Sequence, residues 1–187
     1  MRFQQVFIAF FLVINSFSIA YAQDIKSCLT ADEMSLYNQV MQYRKQKGLS
    51  QIPLSKSLCI VAKTHVWDLS VNKPVKGDCN LHSWSSKGKW TACCYTSDHK
   101  QAAKMWSKPS ELTEYKGNGY EISASGVSAA TALEVWKKSS GHNQVIISGG
   151  IWAAHPWKAI GVGIQDGYAV IWFGEEEDPA GTTDVCK

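Results

Sequence analysis

The chain has 187 residues, a formal charge of +3 and a hydrophobic fraction of 45%. That length suits one domain with a sizeable core. The lysines are scattered rather than striped, which excludes a nucleic-acid footprint, and the eight tryptophans fit a compact core with an aromatic-lined groove.

In chain order, Arg2 gives a short positive start, Val6 to Ile14 is almost wholly apolar, and Ala20-Tyr21-Ala22 is a small-x-small cleavage site. These read as a secretory signal peptide over residues 1–22, leaving 23–187 as a single mature domain. The apolar run is shorter than the roughly 20 residues that span a bilayer, so no membrane span is expected. The expected location is extracellular, or periplasmic in a Gram-negative bacterium. In such a compartment the six cysteines, Cys28, Cys59, Cys79, Cys93, Cys94 and Cys186, are all disulfide candidates. Cys93 and Cys94 are adjacent, so each is expected to pair elsewhere. Cys79 is a natural partner for one of them, and Cys28 with Cys186 would tie the ends together.

Residues 31–47 carry Met34, Tyr37, Val40, Met41 and Arg44 at helical spacing, with Thr30 or Asp32 as cap and Gly48 as stop. An extended link through Pro53 leads to Ser55, which can cap a second helix with Leu58, Val61, Ala62, His65 and Leu69 on its apolar face, ending near Asn72-Lys73-Pro74. His65 reads there as a buried, hydrogen-bonded core histidine. Residues 74–96 are irregular, and 98–106 form a short helix broken at Lys108-Pro109. A strand runs through Tyr120-Glu121-Ile122. A third helix spans 128–138 and ends at Ser139-Ser140-Gly141, so that His142 is aimed by the chain reversal. Two β-prone runs around Asp166-Gly167 read as a hairpin. The acidic run Glu175 to Asp178 reads as a solvated loop. Helices first and a hairpin last give the α+β class, a sheet sandwiched by helices.

Three polar elements stand apart from the core pattern: Asn80-Leu81-His82-Ser83, Gly119-Tyr120-Glu121-Ile122 and Ser139-Ser140-Gly141-His142. Two imidazoles and a carboxylate suit a first-row metal, and the same groups suit acid–base work. Two rival readings exist. One is a Cys/His metal cluster of Cys79, His82, Cys93, Cys94 and His99, set against the tendency of secreted thiols to oxidise. The other is a nucleophile, Ser83 or Ser139, with His142 and Glu121, unsupported by any Gly-x-Ser-x-Gly elbow.

These blocks resemble the CAP superfamily (cysteine-rich secretory, antigen 5 and pathogenesis-related 1 proteins) in the correct order. Asn38 through Arg44 to Gly48-Leu49 and Pro53-Leu54 are similar to its opening. Cys79-x-x-His82-Ser83 resembles its first histidine motif, Gly119-Tyr120-Glu121 its glutamate segment, and Trp136-x-x-Ser139-x-Gly141-His142 the bacterial-type form of its second histidine motif. Ile160-Gly161-Val162-Gly163 resembles its closing hairpin. The likeness covers roughly residues 31–174. It implies an α-β-α sandwich with a central, mainly antiparallel sheet, disulfides, and a cleft in which His82 and His142 hold zinc or another divalent cation weakly. Glu121 would be their acidic partner, with Ser83 and Ser139 on the cleft. Ser139 stands where the family's second glutamate is expected, which weighs against an acid–base site. The implied function is a secreted, non-catalytic binding module for a small apolar or lipid-like ligand or an extracellular protein. The alternative is a secreted peptidase- or esterase-like hydrolase using Glu121 and His142 with His82. The segment 83–117 lies outside the common pattern and is expected to decorate the cleft rim.

Overall fold

A computed structural model describes residues 25–187, so the segment read as a signal peptide lies outside the described residues. Helix α1, Ala31–Gln46, starts with a reciprocal cap. Glu33 N donates to Thr30 Oγ1 at 3.3 Å, and Thr30 N donates to Glu33 Oε2 at 2.7 Å. Gly48, at φ +74°, provides the left-handed turn that stops it. Helix α2, Lys56–Trp67, begins at Ser55, whose hydroxyl accepts from Leu58 N, and runs on into a π-turn over Asp68–Asn72.

Three strands form one antiparallel sheet in the order β1-β3-β2: β1 Gly119–Ser125, β2 Ala159–Gln165 and β3 Tyr168–Gly174. The β2–β3 turn is Asp166-Gly167, both residues at positive φ, as a two-residue hairpin with right-handed strand twist requires. Alternation along the central strand builds two cores. Ala169, Ile171 and Phe173 join Ile122, Ala124, Leu36, Val40 and Trp136 on one side. Val170 and Trp172 join Leu58, Val61, Ala62 and Trp84 on the other. Helix α2 packs over β2 and β3, while α1 and α5 (Ala132–Lys138) lie against β2 and β1. This is the expected α-β-α sandwich with a mainly antiparallel sheet.

The approach of α2 to the sheet depends on two glycines. A Cβ built on Gly161 would meet Leu58 C at 2.1 Å, and one on Gly163 would meet Ala62 C at 2.6 Å. Their two-residue spacing on a strand matches the four-residue spacing of Leu58 and Ala62 on a helix. The helix therefore settles on bare backbone, which carries His65, one turn further on, down to the sheet.

Several expectations need correction. The third helix starts at Ala132, and residues 128–131 form a turn instead. Ser139, in extended conformation, breaks it, but a new helix, α6, runs over Ser140–Ile146, so His142 sits on a helix rather than in a chain reversal. Lys108-Pro109 does end the short helix α3, Ala102–Trp106, yet it also opens α4, Lys108–Leu112, with proline in the first turn where its missing N–H costs nothing. Two disulfides form, Cys28–Cys186 and Cys79–Cys94. Cys59 and Cys93 are free thiols, contrary to the expectation of pairing: Cys59 is fully buried in the first core, and Cys93 is buried in the second beside Trp84. The acidic run is not wholly solvated. Asp178 accepts from Ser55 Oγ (2.6 Å), Ser57 N (2.8 Å), Ser57 Oγ (2.8 Å) and Ala180 N (3.0 Å), clamping the start of α2.

Candidate functional site

Four segments bring the site together: β1, α2, the loop closed by Cys79–Cys94, and α6. Pleating turns Ile122 and Ala124 of β1 into the first core and Glu121 to the opposite face, toward α2. There Glu121 is 7% exposed. Its Oε1 meets His65 Nδ1, and its Oε2 lies 2.7 Å from His82 Nδ1. His65 comes from α2, is fully buried, and stacks on the Trp84 indole with ring centroids 4.3 Å apart and planes 7° apart. Its Nε2 donates to Ser83 O at 3.0 Å.

His82 sits in the loop stapled by Cys79–Cys94. Asn80 N donates to Tyr95 O at 2.8 Å, and His82 N donates to Asn80 Oδ1 at 3.0 Å, an Asx turn that fixes the backbone under the ring. Tyr95 packs edge-on to His82 at 5.3 Å. His142 reaches in from α6, its ring centroid 6.4 Å from that of His82. The pair and the carboxylate named from sequence are therefore assembled, and His65 joins them.

The electrostatics follow from burial and from these neighbours. Burial pushes the Glu121 carboxyl up, but His65 and then His82 outweigh it and hold it below its ordinary value. His142 is lowered, first by burial and then by the His82 ring, with Glu121 acting in the opposite direction. A neutral imidazole is the ligating form.

The remaining predicted residues fare differently. The Ser83 hydroxyl accepts from Tyr95 N at 2.9 Å and the residue is fully buried, so it serves the loop rather than the cleft as a nucleophile. Ser139 is the half-buried junction of α5 and α6. The Cys/His cluster is overturned, because Cys79 and Cys94 are bonded to each other. His99 Nδ1 is instead 2.7 Å from the Tyr95 hydroxyl. Segment 83–117 reaches deeper than the rim, since Trp84 and Tyr95 floor the site.

As a cation site the arrangement offers two imidazoles. Among the described residues His142 Nδ1 is buried without a hydrogen-bond partner, and His82, held through Nδ1, keeps Nε2 free of Glu121. Among the described residues no group of three or more His, Cys, Asp or Glu is placed to hold a metal. A hollow of about 420 Å³ opens elsewhere, between Pro53, Leu54, Trp157 and Asp178.

His65 escapes a sequence reading as a site residue because it occupies an apolar helical position and its partner lies 56 residues away. The available signal is its position on a helix facing a strand that carries an isolated glutamate.

No family model and no curated protein matches the chain. Solved structures do. An extracellular protein containing a SCP domain from Bacillus anthracis aligns with TM-score 0.56 and 16% identity, over 78% of this chain and 40% of that one. An outer surface protein of Borrelia burgdorferi aligns with TM-score 0.53 and 18% identity, over 78% of this chain and 93% of that one. A cysteine-rich secretory protein of Staphylococcus aureus aligns with TM-score 0.50 and 16% identity, over 78% of this chain and 38% of that one. The chain thus spans well under half of two of these proteins, and at such identities the likeness is one of fold. Sandwich, strand order and structural neighbours together give this chain the CAP, or SCP, fold that its motifs resemble.

Proposed function

We propose that the protein is a secreted, non-catalytic CAP-fold module whose cleft holds a divalent cation weakly between His82 and His142. The observation that carries this reading is the commitment of Glu121. Both of its oxygens are taken by His65 and His82 within a buried residue, which leaves imidazole nitrogen, not free carboxylate, as the reactive group. Zinc normally takes four protein ligands in structural sites and three in catalytic ones. A two-histidine site is correspondingly weak and leaves positions for water or for a donor on a bound partner. The partner class is a small apolar or lipid-like molecule or an extracellular protein. Secretion is supported by the signal-peptide pattern at the start of the sequence and by neighbours described as extracellular, secretory or outer-surface proteins. Among the described residues no helix is long and apolar enough to cross a membrane. Hydrolysis has less support, because Glu121 and the Ser83 hydroxyl are both engaged.

Calorimetric titration of zinc into metal-free protein tests the reading. One weak, saturable site is expected, lost in His82→Ala and in His142→Ala. An isotherm unchanged in both variants overturns it. A parallel panel of fatty acids, sterols and ester or peptide substrates separates binding from turnover. Turnover that collapses in Glu121→Gln would establish the hydrolase instead.

A further inference from the structure

The hydrogen bonds around Glu121 have directions, and the directions determine which nitrogen of His82 carries its hydrogen. The Ser83 carbonyl can only accept, so His65 Nε2, 3.0 Å away, bears a hydrogen. His65 Nδ1 faces Glu121 Oε1. The hydrogen in that contact sits either on Nδ1 or on Oε1. In both arrangements Oε2 carries none and accepts. His82 Nδ1, 2.7 Å from Oε2, is then the donor. The lone pair of a neutral His82 is thereby confined to Nε2, the nitrogen not bound to Glu121.

We infer that His65 is a positioning residue that sets the tautomer of His82 through Glu121. His65 is suited to this because it cannot turn. It is fully buried, lies flat on Trp84 at 4.3 Å, and meets the edge of Trp172 at 6.3 Å. Without His65 nothing faces Oε1, and the hydrogen-bond chain from the Ser83 carbonyl no longer dictates the direction of the Oε2 contact. A hydrogen can then reside on Oε2 and be donated to His82 Nδ1. His82 would become the Nε2–H form, with no lone pair left for a ligand. Fixing tautomer and ring orientation from one shell out is the usual work of carboxylate partners of metal-binding histidines. In this protein a second histidine stands behind the carboxylate. The consequence for zinc rests on the cation reading above; the tautomer itself does not.

The test uses ¹⁵N-histidine-labelled, metal-free protein at mildly alkaline pH, with two-bond proton–nitrogen spectra reporting each tautomer. Three proteins are compared: wild type, His65→Phe, which refills the ring space against Trp84 without N–H groups, and His65→Asn, whose amide restores a donor near the Nδ1 position. His82 is expected as the Nδ1–H form in wild type and His65→Asn, and as the Nε2–H form in His65→Phe. Zinc affinity is expected to fall about tenfold or more in His65→Phe, as for other outer partners of ligating histidines, and to recover in His65→Asn. An Nε2–H His82 in the wild type overturns the inference, whether or not the variants fold. So does a folded His65→Phe with an unchanged His82 spectrum. If wild type binds no zinc but shows the Nδ1–H tautomer, the cation reading fails and this one stands.

Discussion

Glu121 is a buried carboxylate whose two oxygens both face imidazoles. Removing it leaves fully buried His65 with a polar nitrogen and nothing to meet. Breaking a buried pair from one side costs about 3–5 kcal/mol, and Glu121→Ala is expected to lower the unfolding free energy by that order in a urea titration, with Glu121→Gln milder. The two free thiols give a second residue-scale outcome. Burial raises the Cys59 thiol to about 12 and also raises Cys93, and the thiolate is the reactive form. An aromatic disulfide reagent should therefore label neither cysteine quickly in the native protein and both once it is unfolded. Fast native labelling of Cys59 would contradict its place in the core. At this scale the sequence is legible where a residue breaks a pattern and silent where it obeys one. His82, Glu121 and His142 interrupt apolar runs or follow turns, so they stand out. His65 and Cys59 sit on an apolar helical stripe; His65 is read there as buried and hydrogen-bonded, as it is, but periodicity does not identify Glu121 as its partner.

At the scale of elements, α2 matters most, because it carries His65 and rests on glycine backbone. Gly161→Ala puts a Cβ within 2.1 Å of Leu58 C, which belongs to the helix backbone and cannot swing aside. Overpacking costs of about 1–3 kcal/mol are typical, and a value at the top of that range or beyond is expected, with weakened zinc binding as α2 lifts. Gly141 is the contrast: a Cβ added there meets nothing within 4 Å, and the residue belongs to α6. Gly141→Ala should stabilise by about 0.5–1 kcal/mol. The start of α2 supplies a pH test. Burial pushes Asp178 up, but its hydrogen bonds from Ser55, Ser57 and Ala180 win and hold it below its ordinary 3.8. A lowered folded value means stability that is present above the unfolded value and lost as pH falls through the folded one. The gap in unfolding free energy between wild type and Asp178→Ala should be full at neutral pH and shrink below about pH 4. Element types are largely readable, since caps, glycine stops and the Asp166-Gly167 turn are local signals. The α5–α6 break is not, because Ser-Ser-Gly serves equally to end a helix and to start one, and only packing of Val145 and Ile146 in the core decides.

For the whole molecule, the two disulfides constrain very different lengths of chain. Cys28–Cys186 joins positions 158 residues apart, and Cys79–Cys94 joins positions 15 apart. Both pairings are among those the sequence allows, but spacing alone cannot reject Cys59 and Cys93, because their exclusion follows from which face of which element each occupies. In the chain-entropy picture the stabilisation grows with the logarithm of the loop, to about 5 kcal/mol for the long bridge and about 3 for the short one. The long bridge also brackets the bonds from Leu29 N to Asp184 O and from Cys186 N to Leu29 O. Replacing Cys28 and Cys186 with serine should therefore lower global stability more than replacing Cys79 and Cys94. For the site the order should reverse. The Cys79–Cys94 bridge anchors the loop that presents His82, whereas the hydrogen bonds at the terminal bridge run from Lys63 Nζ to Cys28 O and from Cys186 N to Leu29 O. Guanidinium unfolding and zinc titration on both double variants separate the two roles. The assignment is wrong if losing the terminal bridge weakens zinc binding as much as losing the loop bridge while the protein remains folded.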